Sequence, residues 1–178
     1  MGRSANQAES RQSRLKRLAE RIEKLAEKDA LTLRHVQEIT QLRKSAIQDL
    51  YDICFQFVEA VNQLTADGAL ALDPPNASHL REEVRNLIQI NVRGRILQVE
   101  FEATDELVST EDFRIPYTMQ GTVRTFNQEL LDKDLIEEQL IYFTLEKEKK
   151  MWRFFDARTY RSGPFDQEYL ISLMEQLI

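Results

Sequence analysis

The sequence contains few of the residues that crosslink a chain or interrupt its secondary structure. Cys54 is the only cysteine, so no disulfide can form within the chain. Five glycines and four prolines among 178 residues leave most of the chain free to form helices and strands. The lack of disulfides is typical of proteins in a reducing compartment, which predicts a cytoplasmic localisation.

Long apolar runs are also absent. The longest of them, such as residues 140–143, span only a few residues, whereas a membrane-spanning helix needs about 20. Residues 1–7 are polar and lack the apolar core of a secretion signal. Both features predict a protein without a membrane segment.

Motifs for catalysis or cofactor binding are scarce. The two histidines, His35 and His79, have no further ligands at the spacing of a zinc site. Cys54 lies in an apolar helix face, which favours a buried thiol over a nucleophile. The glycines are too far apart for a phosphate-binding loop, and no carboxylate pair is marked out for acid–base catalysis. We therefore predict no catalytic residue, no cofactor and no metal ion.

Charge is distributed unevenly along the chain, whose formal net charge is −6. Residues 1–50 contain 11 Lys and Arg against 7 Asp and Glu, a net +4, whereas residues 51–178 contain 13 against 23, a net −10. An acidic body repels nucleic acid and anionic membrane surfaces, so we disfavour both as partners. The basic N-terminal part could contact either of them, or it could contact the acidic part of a second copy.

A heptad pattern begins at Leu15 and continues without insertion to Leu64. Apolar residues fill twelve of its fifteen core positions, which predicts a long helix. One core position holds Leu15, Ile22, Asp29, Val36, Arg43, Leu50, Phe57 and Leu64, and the other holds Leu18, Leu25, Thr32, Ile39, Ala46, Ile53 and Ala60. A helix over residues 14–66 would be roughly 80 Å long at ~1.5 Å per residue. Its apolar side needs a second helix to cover it, from another copy or from the same chain.

The heptad frame is weakest at Asp29 and Thr32, two polar residues in core positions. A kink or a helix–helix corner over residues 28–33 would make Asp29 or Thr32 the N-cap of a new helix. The N-terminal segment would then fold back along its own chain. Alternatively, the helix is unbroken and carries two polar core positions.

The apolar face of this helix widens after residue 46, as in a helix that packs on a sheet. We therefore predict three segments: a disordered lead-in over residues 1–13, a helical arm over residues 14–33 and an α+β domain over residues 34–178. The candidate self-association residues of the arm are Leu15, Leu18, Ile22 and Leu25. Their burial by a second copy would give a homodimeric coiled coil.

The C-terminal half opens with a helix end and a short helix. Gly68 is expected to end the long helix in a left-handed conformation. Ser78 is expected to cap a short helix whose apolar face consists of Leu80, Val84, Leu87 and Ile88. Another short helix, capped by Asn127, is possible over residues 127–137.

Alternating apolar and polar residues then predict a four-stranded antiparallel sheet. The expected strands cover residues 95–102, 113–124, 140–145 and 151–160. Gly163-Pro164 is expected to break the last strand, and Asp166 to cap a C-terminal helix. The predicted fold class is α+β, with the helices packed on one face of the sheet.

Two residues of the second predicted strand are unusual in a strand. Pro116 favours an edge position or a bulge, because proline cannot donate a ladder hydrogen bond. Gly121 stands on the apolar side between Met119 and Val123, which predicts a bend, a bulge or the close approach of a helix.

The segment over residues 151–161 carries aromatic residues on both faces of a predicted strand. Either both faces are covered by protein, or one face binds a partner, because Trp, Tyr and Arg are enriched in binding hot spots. The candidate partner-binding residues are Trp152, Phe154, Arg158 and Tyr160. Aromatic and arginine side chains on a sheet also suit single-stranded RNA, which Asp156 and the acidic body disfavour.

The leading functional prediction is a non-catalytic protein-interaction protein of the adaptor or chaperone kind, which self-associates through its N-terminal helix. In size, acidity and element order the chain is similar to type III secretion chaperones, which are small, acidic and dimeric, although the heptad arm departs from their pattern. The alternative is a ligand-binding or enzymatic α+β domain with a pocket between the sheet and the core helix. A cavity lined by Tyr117, Tyr142 and Trp152 would favour this alternative.

Overall fold

The computed structural model describes the backbone of residues 2–108, 117–146 and 148–178, and the side chains of residues 11–105, 117–146 and 148–178. The chain divides into two compact units, one up to Thr40 and one over Gln41–Ile178. Phe113, Ile115 and Pro116 of the second predicted strand, and Lys147 of the predicted hairpin turn, lie outside the described residues.

The described residues form three α-helices and seven strands. In chain order they are α1 (Gly2–Leu64), β1 (Ala71–Asp73), β2 (Asn86–Val92), β3 (Arg95–Val108), β4 (Tyr117–Phe126), α2 (Gln128–Asp132), β5 (Glu138–Glu146), β6 (Lys149–Asp156), β7 (Arg161–Pro164) and α3 (Gln167–Leu177). Each strand pairs antiparallel with the next one along the chain, so the sheet order is β1 to β7. The predicted α+β class, long N-terminal helix, antiparallel sheet and C-terminal helix are confirmed.

The predicted number of four strands is wrong. The short strands β1 and β7 lie at the two edges of the sheet, and their sequences show too few alternations to be recognised. β7 contains Gly163 and Pro164, which we expected to break the last predicted strand. Pro164 is tolerated because it ends an edge strand, where a missing N–H removes no interior ladder bond.

The short helix predicted after Ser78 is also wrong. Residues 86–92 form β2, in which Ile88 and Ile90 are buried and Leu87 is exposed. The adjacent pair Leu87-Ile88 had suggested one helical face, whereas the two side chains point to opposite faces of a strand. The only helical piece within residues 77–85 is a 3₁₀ turn over Ala77–His79, with Asn76 as its N-cap.

The predicted helix ends at Gly68, Asn127 and Asp166 and the predicted hairpin are confirmed. Gly68 has φ +58° shortly after the end of α1. Asn127 caps α2 by accepting from the Leu130 N–H, and Asp166 caps α3 by accepting from the Tyr169 N–H. The predicted hairpin is present as β5 and β6, with Ile141 opposite Phe154.

Helix α1 begins at Gly2 and therefore includes most of the segment that we expected to be a disordered lead-in. It also passes through residues 28–33 without interruption. Neither Asp29 nor Thr32 caps a new helix; the Thr32 hydroxyl donates to the Lys28 carbonyl oxygen at 3.0 Å, a bond typical of mid-helix threonine. The proposed helix–helix corner is not present. The three-part domain division stays a prediction.

The main core lies between one face of the sheet and two helices, α3 and the part of α1 within Gln41–Ile178. Its helical members are Ala46, Ile47, Leu50, Tyr51, Cys54, Phe57 and Val58 from α1, and Leu170, Leu173, Met174 and Leu177 from α3. Trp152 of β6 is buried in this core, and its indole Nε1 donates to the Ala46 carbonyl oxygen at 2.7 Å. The rings of Phe101 and Phe143 contact Trp152 at centroid distances of 5.7 and 5.6 Å.

A second, smaller cluster lies on the opposite face of the sheet. It consists of Tyr117, Tyr142 and Phe155, with Leu140 packed against them. Tyr142 points away from the core because its neighbours Ile141 and Phe143 point into it. The register of β4 against β5 shifts between Tyr117 and Met119. Because of this shift, Tyr117 points to the opposite face of the sheet from Met119, which lies in the main core.

Gly121 occupies a crowded position, but its close neighbour is strand β3 and not the helix that we predicted. A Cβ on Gly121 would overlap the backbone carbonyl oxygen of Glu100 and lie 2.7 Å from the Cβ of Phe101. The pairing at Gly121 is regular, with Phe101 on one side and Ile141 on the other. The shift in register lies instead between Tyr117 and Met119.

We predict that Gly121→Ala lowers the free energy of unfolding by about 1–3 kcal/mol, the usual cost of overpacking. The backbone of β3 would have to move, since no flexible side chain can yield there. Urea denaturation monitored by tryptophan fluorescence measures this change. Thr122→Ala, at the adjacent half-buried position, is the control and should cost less. Equal stability of Gly121→Ala and the unsubstituted protein would contradict the close approach.

Candidate interaction surface

The arm of α1 exposes its apolar residues. Leu15, Leu18, Ile22 and Leu25, which we call the arm stripe, are 51–58% exposed. They follow one another at spacings of three and four residues, which places them on one side of the helix. No described residue covers this side of the helix, which the heptad pattern predicts to be a contact surface.

The exposed apolar side chains continue beyond the arm stripe. Leu31, Leu33 and Val36 are 54–64% exposed. Burial becomes complete only at Ala46, within the second compact unit. The sequence pattern indicates part of this change, because the apolar face of the helix widens after residue 46.

The arm stripe has basic side chains along one of its borders. The α-helix advances about 100° per residue, so Arg14, Arg21 and Lys28 border the stripe on one side. The acidic residues Glu20, Glu23 and Glu27 lie on the opposite face of the helix. Near the start of the stripe, a shallow concavity of ≈ 370 Å³ is lined by Leu15, Leu18 and the side chains of Arg11, Arg14, Arg17 and Arg21. The surface is therefore apolar with a basic border.

The four candidate partner-binding residues of β6 and its turn do not share one surface. Trp152 is buried in the main core. Phe154 stacks on Tyr169 of α3, with ring centroids 4.1 Å apart and an interplanar angle of 4°. Arg158 and Tyr160 are exposed in the turn before β7, where Arg158 pairs with Glu137 at 3.0 Å. Helices α1 and α3 cover the face of β6 that carries Trp152 and Phe154, which explains why aromatic residues occur on that face.

The aromatic cluster of Tyr117, Tyr142 and Phe155 on the other face was missed by the sequence analysis. The ring centroids of Tyr117 and Tyr142 lie 4.4 Å apart. Burial raises the pKa of the Tyr117 phenol, as expected for a shielded hydroxyl. A signal was present in the sequence, since Tyr142 and Phe155 have the opposite parity to the core residues of their strands.

Tyr117, Tyr142 and Trp152 do not line one cavity between the sheet and the core helix. Trp152 belongs to the helix-covered face, and the two tyrosines belong to the opposite face. This feature, which would have favoured a ligand-binding or enzymatic domain, is not present.

A cleft of ≈ 260 Å³ on the outer face of the sheet is lined by polar and charged residues near Tyr142. Its charges neutralise one another: Arg85 pairs with Glu100 at 3.0 Å and with Glu102 at 3.3 Å. Arg124 approaches Glu100 at 3.8 Å. The hydrogen bond to Glu102 raises the pKa of Arg85. These ion pairs connect β3 to β4 and to Arg85, the residue just before β2, and leave no charge of one sign directed at a ligand.

Cys54 is fully buried in the main core, and burial raises the pKa of its thiol to about 12. The thiolate is the reactive form, so at neutral pH this cysteine is both protonated and inaccessible. It therefore behaves as a small apolar core residue.

We predict that iodoacetamide at pH 8 labels Cys54 only when the protein unfolds. The native thiol stays protonated because its pKa lies well above pH 8, and reagent cannot reach it. Mass spectrometry after timed labelling, with a urea-unfolded sample as the control, measures the rate. Native labelling as fast as in urea would contradict the burial of Cys54.

Other kinds of site find no support in the part of the chain that the structure describes. No three His, Cys, Asp or Glu residues there are grouped to hold a metal ion. None of the helices in the described part combines the length and apolar character needed to cross a membrane. No protein-family model, curated protein or solved structure matches this chain.

Proposed function

We propose that this chain is a non-catalytic interaction protein of the adaptor or chaperone-like kind, which self-associates through the arm of α1. The observation that carries the proposal is the exposure of Leu15, Leu18, Ile22 and Leu25 in one heptad frame on a continuous helix. Such a pattern is that of a coiled-coil seam.

The energetics of the arm stripe support a partner. Leaving a large apolar side chain in water forgoes roughly 1.5–3 kcal/mol relative to burying it. Four such side chains lie in frame in the arm stripe. Most helical stability in proteins comes from packing of the apolar face, so a covered arm is far more stable than a free one.

A second copy of the chain is the occupant that we propose for this surface. The heptad spacing matches a left-handed coiled coil, in which each chain offers the same stripe to the other. Two-fold dimers are the commonest assemblies, and a second copy is always present at equal concentration. The rival arrangement, folding back at residues 28–33, is disfavoured because α1 is continuous there.

The α+β body would then be the part that contacts other proteins. Residues 51–178 carry a net charge of −10, which favours basic partner surfaces and disfavours nucleic acid. Tyr160 is 71% exposed and Arg158 is exposed beside it. Both belong to residue types that are enriched in binding hot spots, so this turn is the place to search for a partner.

We predict that the double substitution Leu18→Asp and Ile22→Asp converts a dimer into a monomer without unfolding the body. Four carboxylates would face one another in a two-stranded seam, and the apolar burial would be lost. Sedimentation equilibrium should show the mass halved, while thermal unfolding of the core is unchanged.

The matched control is Lys24→Asp, which changes the net charge by the same two units on the far side of the helix. It should leave the dimer intact, since Lys24 is not part of the arm stripe. If the unsubstituted chain sediments as a monomer, or the double variant stays dimeric, self-association through the arm is refuted.

A further inference from the structure

The two borders of the arm stripe differ in chemistry. Core position a of the heptad holds Leu15, Ile22, Asp29 and Val36, and core position d holds Leu18, Leu25, Thr32 and Ile39. Position g, immediately before each a residue, holds Arg14, Arg21, Lys28 and His35. Position e, immediately after each d residue, holds Ala19, Ala26, Leu33 and Thr40. These bordering residues are exposed except Thr40, which is half-buried.

This asymmetry distinguishes between the two orientations of a coiled coil. In a parallel pair, position g of one helix faces position e of the other, so Arg21 would face Ala26 of the second copy. In an antiparallel pair, g faces g and e faces e. Arginine and lysine would then line both sides of one groove, and like charges repel. The border charges therefore favour the parallel orientation.

The polar core positions Asp29 and Thr32 favour the same orientation. In a parallel pair in register, each core residue meets its own copy, so polar residues meet polar residues and apolar meet apolar. The antiparallel alignment that pairs every core position over residues 15–39 sets Asp29 against Leu25 and Thr32 against Ile22. A polar residue in a core position is a known device for specifying register.

The charge of Asp29 is also compensated in the parallel arrangement. A side chain at position a enters a hole formed by four residues of the facing helix. For Asp29 this hole would contain Lys28 and Thr32 of the second copy. Each carboxylate would lie beside a lysine ammonium, which offsets the repulsion between the two Asp29 side chains.

We infer that two copies of this chain pair through the arm in parallel and in register, with Asp29 and Thr32 forming an aligned polar layer. This inference rests on the proposed self-association and adds its geometry. Both arms then reach Thr40 at the same end of the coiled coil. The two copies of residues 41–178 follow from neighbouring points, which allows bivalent binding of a partner with repeated sites.

Disulfide trapping in the full-length chain tests this geometry. Leu18→Cys places a thiol at position d, which meets its own copy only in the parallel pair in register. Oxidation should therefore link most Leu18→Cys chains into dimers on a non-reducing gel. Glu20→Cys, exposed on the far side of the helix, is the control for random collision and should link few chains. The buried Cys54 remains in place, and the chain without substitutions shows that it does not crosslink.

A mixture of Leu18→Cys and Val36→Cys chains separates the orientations. A parallel pair gives disulfides within each variant, whereas the antiparallel alignment joins Leu18→Cys to Val36→Cys. Mixed disulfides alone, or a dimeric mass without any trapped Leu18→Cys pair, would overturn the parallel register and leave self-association standing. A monomeric mass for the unsubstituted chain would overturn both.

Discussion

The contact between Trp152 and helix α1 is the interaction on which the body depends. The indole is buried in the main core, and its N–H donates to the Ala46 carbonyl oxygen at 2.7 Å. This bond ties strand β6 to the helix across 106 residues of sequence. Phe101 and Phe143 hold the indole from β3 and β5, and the remaining core side chains of α1 and α3 fill the same face. A buried aromatic with its polar atom satisfied stabilises both packing and orientation.

The same helix therefore has two chemically similar parts with different surroundings. The sheet buries Ala46, Leu50 and Phe57 in the C-terminal part of the helix. In the N-terminal part, solvent reaches Leu15, Ile22 and Leu25, although these residues follow the same heptad repeat. A helix can bury only the side that has a partner, and the described residues provide one for the C-terminal part. If the arm self-associates as we propose, the state of this uncovered part depends on protein concentration, as expected of an interaction surface.

Sequence patterns predicted the elements that are decided locally. The heptad repeat identified α1, and the side chains of Asn127 and Asp166 identified the starts of α2 and α3 because capping acts within one turn. Strands β1 and β7 are stabilised by pairing with β2 and β6 and have no alternating pattern of their own. The sequence therefore did not predict them. The side chain of Tyr117 points away from the main core because of the register of β4 against β5. The burial of Trp152 depends on its contact with Ala46, which is distant in sequence. Neither feature can be predicted from nearby residues. The exposure of the arm likewise depends on the whole fold and not on the arm's own residues.

Amide hydrogen exchange of the full-length chain at several protein concentrations tests whether the arm self-associates. We expect amides over residues 15–36 to be protected at high concentration and to exchange rapidly after dilution, as the arms separate. Amides over residues 46–58 should stay protected at every concentration, because the sheet and α3 cover them within one chain. Protection of residues 15–36 that does not change on dilution, or that is missing at every concentration, would contradict self-association through the arm.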